Sequence, residues 1–140
     1  MHDETSKELR TTLTSAGKLE LSIVTVPMPE PREGEVLLKV EASPINPSDL
    51  GLLLGPADVS SLSITGSGDN TVASMDVPEA MMPAMQARLD AALPVGNEGA
   101  GVVIAAGAGA EHLVGQTIGV AGGAMYSQYR CVPAASCIVM

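Results

Sequence analysis

The sequence predicts a mainly β fold: a small β-barrel or rolled sheet with one or two short helices and an inserted lobe. Short apolar runs alternate with polar residues at period two, as half-buried strands do. Fifteen Gly and ten Pro among 140 residues supply the turns between them. Hydrophobic residues make up 46% of the chain, enough for a core. There is no Phe, no Trp and only two Tyr, so Val, Ile, Leu, Ala and Met must fill the interior.

The polar start MHDETSK, residues 1–7, reads as a disordered end. ELRTTLT and LELSIVTV read as a hairpin turned at SAGK, with Leu19, Leu21 and Ile23 on one face. After the Pro-rich loop PMPEPREG comes the strand EVLLKVEA, with Val36, Leu38, Val40 and Ala42 on one side. PINPSDLG then opens a short helix over 47–54, stopped by Gly55-Pro56. Residues 56–93 read as an insert: a Ser/Thr/Gly-rich loop or weak hairpin, then a helical stripe of Met82, Met85, Leu89 and Ala92. That stripe suits packing against the body, or an adaptable Met surface. Pro83 sets a kink or a start in it. NEGAGVVIAAG, QTIGVAG, AMYSQYRCV and CIVM complete the strand set.

The net charge of −9 argues against a nucleic-acid partner. No polybasic cluster marks an anionic membrane surface. No run of about 18 apolar residues is long enough to cross a bilayer, and the N-terminus lacks the apolar stretch of a signal peptide. A cytoplasmic protein is expected. Cys131 and Cys137 make neither a disulfide framework nor a zinc knuckle. No Walker A loop, G-x-G-x-x-G fingerprint, nucleophile elbow or metal-spaced His/Cys set is present.

Polar residues in apolar, Gly-rich surroundings remain, at two places. Asn46 and Asp49 form a cap: Asn46 as N-cap, Pro47 at N1, and Asp49 placed to reach back to the Asn46 N–H. Helix initiation alone explains them, and so does a site. Asn97 and Glu98 lie in GNEGAG at the head of an apolar strand. Glu98 is there either as an exposed strand end or as a site carboxylate, since burying it alone is costly.

Three segments, GEVLLKVEASPINPSDLG, LPVGNEGAGVVIAAGAG and VGQTIGVAGGAMYSQYRCVPAASCIVM, together resemble one family. It is the medium-chain dehydrogenase/reductase superfamily, in its zinc-free quinone oxidoreductase branch. The resemblance is to the N-terminal GroES-like catalytic domain and covers residues 8–140, interrupted by the insert at 56–93. It implies a GroES-like rolled β-barrel, and NADPH lying between this domain and a following Rossmann domain. Hydride would pass to a quinone or an enone. Zinc-using relatives carry a Cys and a His where this chain has Asn46 and Asn97, and a neutral amide is a poor zinc ligand.

The resemblance places Asn46, Asn97 and Glu98 at the cofactor. Tyr126 becomes the nearby hydroxyl donor, with Asp49 supporting the helix start; these two are the catalytic candidates and no metal ligand is expected. Two departures stand out. Gly51 occupies the place of a familiar Tyr, and Gly115-Gln116 the place of Gly-Asp. No Rossmann segment lies within the 140 residues, so this chain alone is expected to be inactive and to self-associate, as a homodimer for example. The alternatives are a GroES-like binding or co-chaperone module, with Leu62 and Ile64 on a mobile loop at 56–77, or an inactive fragment. Fold does not fix function.

Overall fold

A computed structural model describes residues 4–140. In chain order the strands are β1 (Thr5–Leu13), β2 (Lys18–Pro27), β3 (Glu35–Ala42), β4 (Asp58–Thr65), β5 (Val72–Asp76), β6 (Leu93–Pro94), β7 (Glu98–Ala106), β8 (Thr117–Ala121), β9 (Tyr129–Pro133) and β10 (Cys137–Val139). They form two five-stranded sheets, ordered β4-β5-β2-β1-β6 and β10-β8-β7-β3-β9. The fold is mainly β, as the sequence predicts. Among the described residues the rolled barrel is not found: each sheet is open and ends in two edge strands. Closure depends on register between distant strands, which local alternation does not encode.

The chain divides into two compact units. The first holds residues 4–8, Thr25–Ile45 and Gly96–Met140; the second holds Leu9–Val24 and Asn46–Val95.

In the first unit β3 is the organising strand, paired antiparallel with β7 on one side and β9 on the other. Val36, Leu37 and Leu38 are all buried, because a register shift between Leu37 and Leu38 breaks the simple alternation. The core joins Val36 and Leu38 to Val103, Leu113, Ile118, Val120, Met125 and Val132. Each such side chain contributes roughly 1.5–3 kcal/mol on burial. Gly101 lets β7 lie close on β3: a Cβ there would sit 1.9 Å from the Lys39 carbonyl oxygen. Thr5, Ser6 and Lys7 belong to β1 and not to a disordered end. Ser6 is buried, and Lys7 is held by exchange with Gln128: its N–H donates to Gln128 Oε1 at 3.0 Å, and its carbonyl accepts the Gln128 N–H at 2.9 Å. The rest of that predicted end, residues 1–3, lies outside the described residues.

In the second unit, the β1–β2 hairpin forms as predicted, with Gly17 at φ +82° in its turn. Only Leu19 of the expected β2 face is buried; Leu21 is half-buried and Ile23 is exposed. Residues 58–76 form the β4–β5 hairpin, the weak hairpin option of the sequence. The Met-rich stretch is a 3-10 helix over Glu79–Arg88, and not an α-helix. Pro83 inside it has no N–H to donate to an α-type ladder. Met82, Met85 and Leu89 still pack on Leu13, Leu19, Met75 and Val77, while Ala92 is exposed.

Candidate functional site

The chain leaves β3 at Ala42 and runs through Ser43 and Pro44, beside the head of β7. Here the first unit carries a groove of about 550 Å³. Its walls are Ala42, Ser43 and Pro44, then Glu98, Gly99 and Ala100 of β7, Gly119–Ala121 of β8, and Ile138 and Met140 at the chain end. Glu98 is the one charged side chain in that lining, half-buried and paired by its backbone with Ala121. An apolar slot with one carboxylate suits a flat, uncharged ring with a hydrogen-bond donor on its edge.

The segment before β9 is hydrogen-bonded to two of these lining residues. Tyr126 lies outside the strand, which starts at Tyr129 and not at the head of AMYSQYRCV as the sequence suggests. Its hydroxyl donates to the Pro44 carbonyl at 2.8 Å. The Ser43 hydroxyl donates to the Met125 carbonyl at 2.9 Å, and the Met125 N–H to the Gly96 carbonyl at 3.2 Å. Gly96 is required here: at φ +104° its missing Cβ would lie 2.6 Å from the Tyr126 nitrogen. Ala124 holds φ +66°, a left-handed conformation costing a non-glycine residue about 1 kcal/mol. Strain is thus stored next to Tyr126. Asn97 is exposed, and its carbonyl accepts the Gly122 N–H at 2.7 Å.

Asn46 and Asp49 fall in the second unit, and the structure brings these two to each other. Asn46 is extended (φ −95°, ψ 158°) and heads a 3-10 turn over Pro47–Asp49, which passes into a single-turn helix α1, Leu50–Leu53. The Asn46 N–H donates to Asp49 Oδ2 at 2.8 Å, and the Asp49 N–H to the Asn46 carbonyl at 2.9 Å. Asp49 is 2% exposed. Its carboxylate therefore serves the cap and fixes Asn46.

Of the predicted residues, Tyr126, Asn97 and Glu98 fall in the first unit, and Asn46 and Asp49 pair with each other in the second. Sequence reasoning missed Ser43, Gly96 and the wall of Ile138 and Met140. Ser43-Pro44 flanks a strand end, which was the available signal; the chain-end wall carried none.

No family model matches the chain. A zinc-type alcohol dehydrogenase-like protein of Schizosaccharomyces pombe is 56% identical over 34 residues, 24% of this chain and 10% of that protein. Among solved structures, a human synaptic vesicle membrane protein VAT-1 homolog-like protein matches 98% of this chain and 36% of its own, with a TM-score of 0.63 at 16% identity. A putative NADPH:quinone reductase of Mesorhizobium loti matches 100% and 38%, with a TM-score of 0.57 at 22% identity. A thermostable alcohol dehydrogenase of Pyrobaculum aerophilum matches 98% and 41%, with a TM-score of 0.60 at 18% identity. The chain thus has a fold that quinone reductases and alcohol dehydrogenases use in part of their length. It spans well under half of each of these structures.

Proposed function

We propose that this chain is the substrate-side part of a zinc-independent, NADPH-dependent oxidoreductase acting on a quinone or an enone. The observation that carries the reading is the apolar groove with Glu98 as its single charge. The fold likeness to quinone reductases and alcohol dehydrogenases supports it.

The groove fits one end of the cofactor only. Its lining has no Lys, Arg or His to meet a phosphate. It would take the nicotinamide or the flat substrate, and the pyrophosphate would be held by the Rossmann domain that the resemblance implies. When bound, NADPH supplies the hydride. The chain's own residues do the rest: the apolar walls exclude water, and Glu98 would accept a hydrogen bond from the carboxamide N–H of the nicotinamide, a donor that a quinone or an enone lacks. Tyr126, tethered to Pro44, positions one rim of the groove, and the hydroxyl within the lining itself is that of Ser43. Asn97 continues that rim. Asn46, fixed by Asp49, offers a neutral amide as a further cofactor contact. Each of Asn46 and Asn97 is a neutral amide where, by the resemblance, zinc-using relatives carry a ligand, and a neutral amide is a poor zinc ligand.

The test compares NADPH consumption with a benzoquinone and with an enone, by this chain alone and by the chain joined to a Rossmann domain of the kind that the resemblance implies. Turnover by the joined polypeptide, unchanged by a chelator and absent from the 140-residue chain, is expected. Loss of rate on chelation would overturn zinc independence. No turnover with either acceptor by the joined form would overturn the oxidoreductase reading.

A further inference from the structure

The polar groups of the groove beside β7 are of one kind. Of the side chains that line it, only Ser43 and Glu98 carry an oxygen or a nitrogen. The Ser43 hydroxyl gives its hydrogen to the Met125 carbonyl at 2.9 Å, so what it can turn to a ligand is a lone pair. An ionised Glu98 is an acceptor only. Gly99 lets the two sit together: a Cβ there would lie 3.0 Å from Ser43 Oγ, so the bare residue after Glu98 leaves room for that hydroxyl. The lining side chains thus offer acceptors and one negative charge, with no donor and no cation. The other walls are apolar, and beside apolar walls a charge is screened less than in open water.

The two redox forms of a nicotinamide differ by one charge at the ring. The reduced ring is neutral. The ring without its hydride is a cation, and the carboxamide is the same in both. We infer that Glu98 makes the groove select the oxidised, cationic ring over the reduced, neutral one. The inference rests on the groove being the nicotinamide end of the site, and goes beyond it by assigning the redox form that this chain favours.

A hydrogen bond from the carboxamide to Glu98 is open to both forms and sets no preference between them. The Coulomb attraction is open to one. An interaction that is stronger once the hydride has left than before lowers the cost of giving it up. The acceptor is served differently: its oxygen grows more negative as hydride arrives, and it finds no side-chain donor in this lining. The net charge of −9 draws any cation to the whole surface. What sets Glu98 apart is its place in the groove.

Ligand-observed NMR titration of the 140-residue chain tests the inference with three small probes. 1-Methylnicotinamide is the cation. 1-Methyl-1,4-dihydronicotinamide is the same molecule with a hydride added, and nicotinamide is a neutral aromatic ring. The cation should bind about tenfold tighter than either neutral probe. Glu98→Gln keeps the shape and a carbonyl oxygen for the carboxamide but loses the charge, and should bring the three probes within about twofold of one another. Glu33→Gln removes a carboxylate from the exposed loop before β3, outside the lining, and should leave the preference in place. Circular dichroism checks that both variants fold. Equal binding of the three probes, a preference untouched by Glu98→Gln, or one lost equally in Glu33→Gln would overturn the assignment and leave the groove a ring site. No binding of any probe would instead overturn the groove as the nicotinamide end, and the inference with it.

Discussion

The Tyr126 hydroxyl donates its hydrogen to the carbonyl oxygen of Pro44 at 2.8 Å, tying the segment before β9 to the segment after β3. The phenol is thereby a tether. To give its proton to a substrate it would have to release Pro44.

Tyr126→Phe removes that bond and keeps the ring against Gly96. Stability should fall by about 1 kcal/mol, the net worth of one such hydrogen bond. Urea unfolding of the two proteins, with equal slopes, measures it. No change in midpoint would mean that the tether is not formed in solution.

Gly101 and Gly51 should respond oppositely to alanine. A Cβ on Gly101 meets the Lys39 carbonyl oxygen at 1.9 Å, so β3 or β7 must move, and Gly101→Ala should cost about 3 kcal/mol. A Cβ on Gly51, an exposed position in α1, has nothing within 4 Å, so Gly51→Ala should gain about 0.5–1 kcal/mol. Thermal unfolding of both variants gives the signs directly.

Thr11 and Arg88 should show strong coupling in the second unit. Thr11 is fully buried, and its hydroxyl accepts from Arg88 Nη2 at 3.3 Å, while Arg88 Nε is buried without a partner. Burial also pulls the guanidinium below its ordinary pKa. Arg88→Met alone strands the hydroxyl, and Thr11→Val alone strands the guanidinium; each should cost about 1–3 kcal/mol. The double variant removes both polar groups, so its cost should be well below the sum. An additive cycle would show the pair to be energetically independent.

The two thiols set an alkaline limit. Burial pushes Cys131 up, with Glu35 adding to the effect, and burial alone pushes Cys137 up. Their folded pKa values lie above the unfolded ones, so between the two the native state binds more protons and stability falls with rising pH. Stability should be flat below the ordinary thiol range and decline above it. Cys131→Ser should flatten the slope in denaturant titrations at successive pH values. A thiol reagent should also modify the native protein more slowly than the unfolded chain, since the thiolate is the reactive form.

Local chemistry made much of the fold legible. Turn residues at 15–18 and 55–56 and the period-two runs located β2, β3, β7 and β8 within a residue or two. The Asn46–Asp49 cap was readable because its partners are three residues apart. What failed was long-range or cooperative. Nothing near Thr5–Lys7 announces Gln128 as their partner. Nothing in Met82, Met85 and Leu89 says that Pro83 will tighten their helix to three residues per turn while keeping the same residues inward. The candidate site divides along the same line. Glu98 stood out as a charge among glycines, whereas the tether of Tyr126 joins segments 82 residues apart.

The pairing of β3 also bears on the order in which the protein is made. Val36, Leu37 and Leu38 leave the ribosome before either neighbouring strand, β7 or β9, exists. The second unit is complete at Val95, while the first needs residues up to the chain's last strands. A nascent chain halted after residue 95 should thus hold one formed unit and one unsatisfied strand. That interval, with three core side chains waiting for partners still unsynthesised, is where the protein depends most on a chaperone.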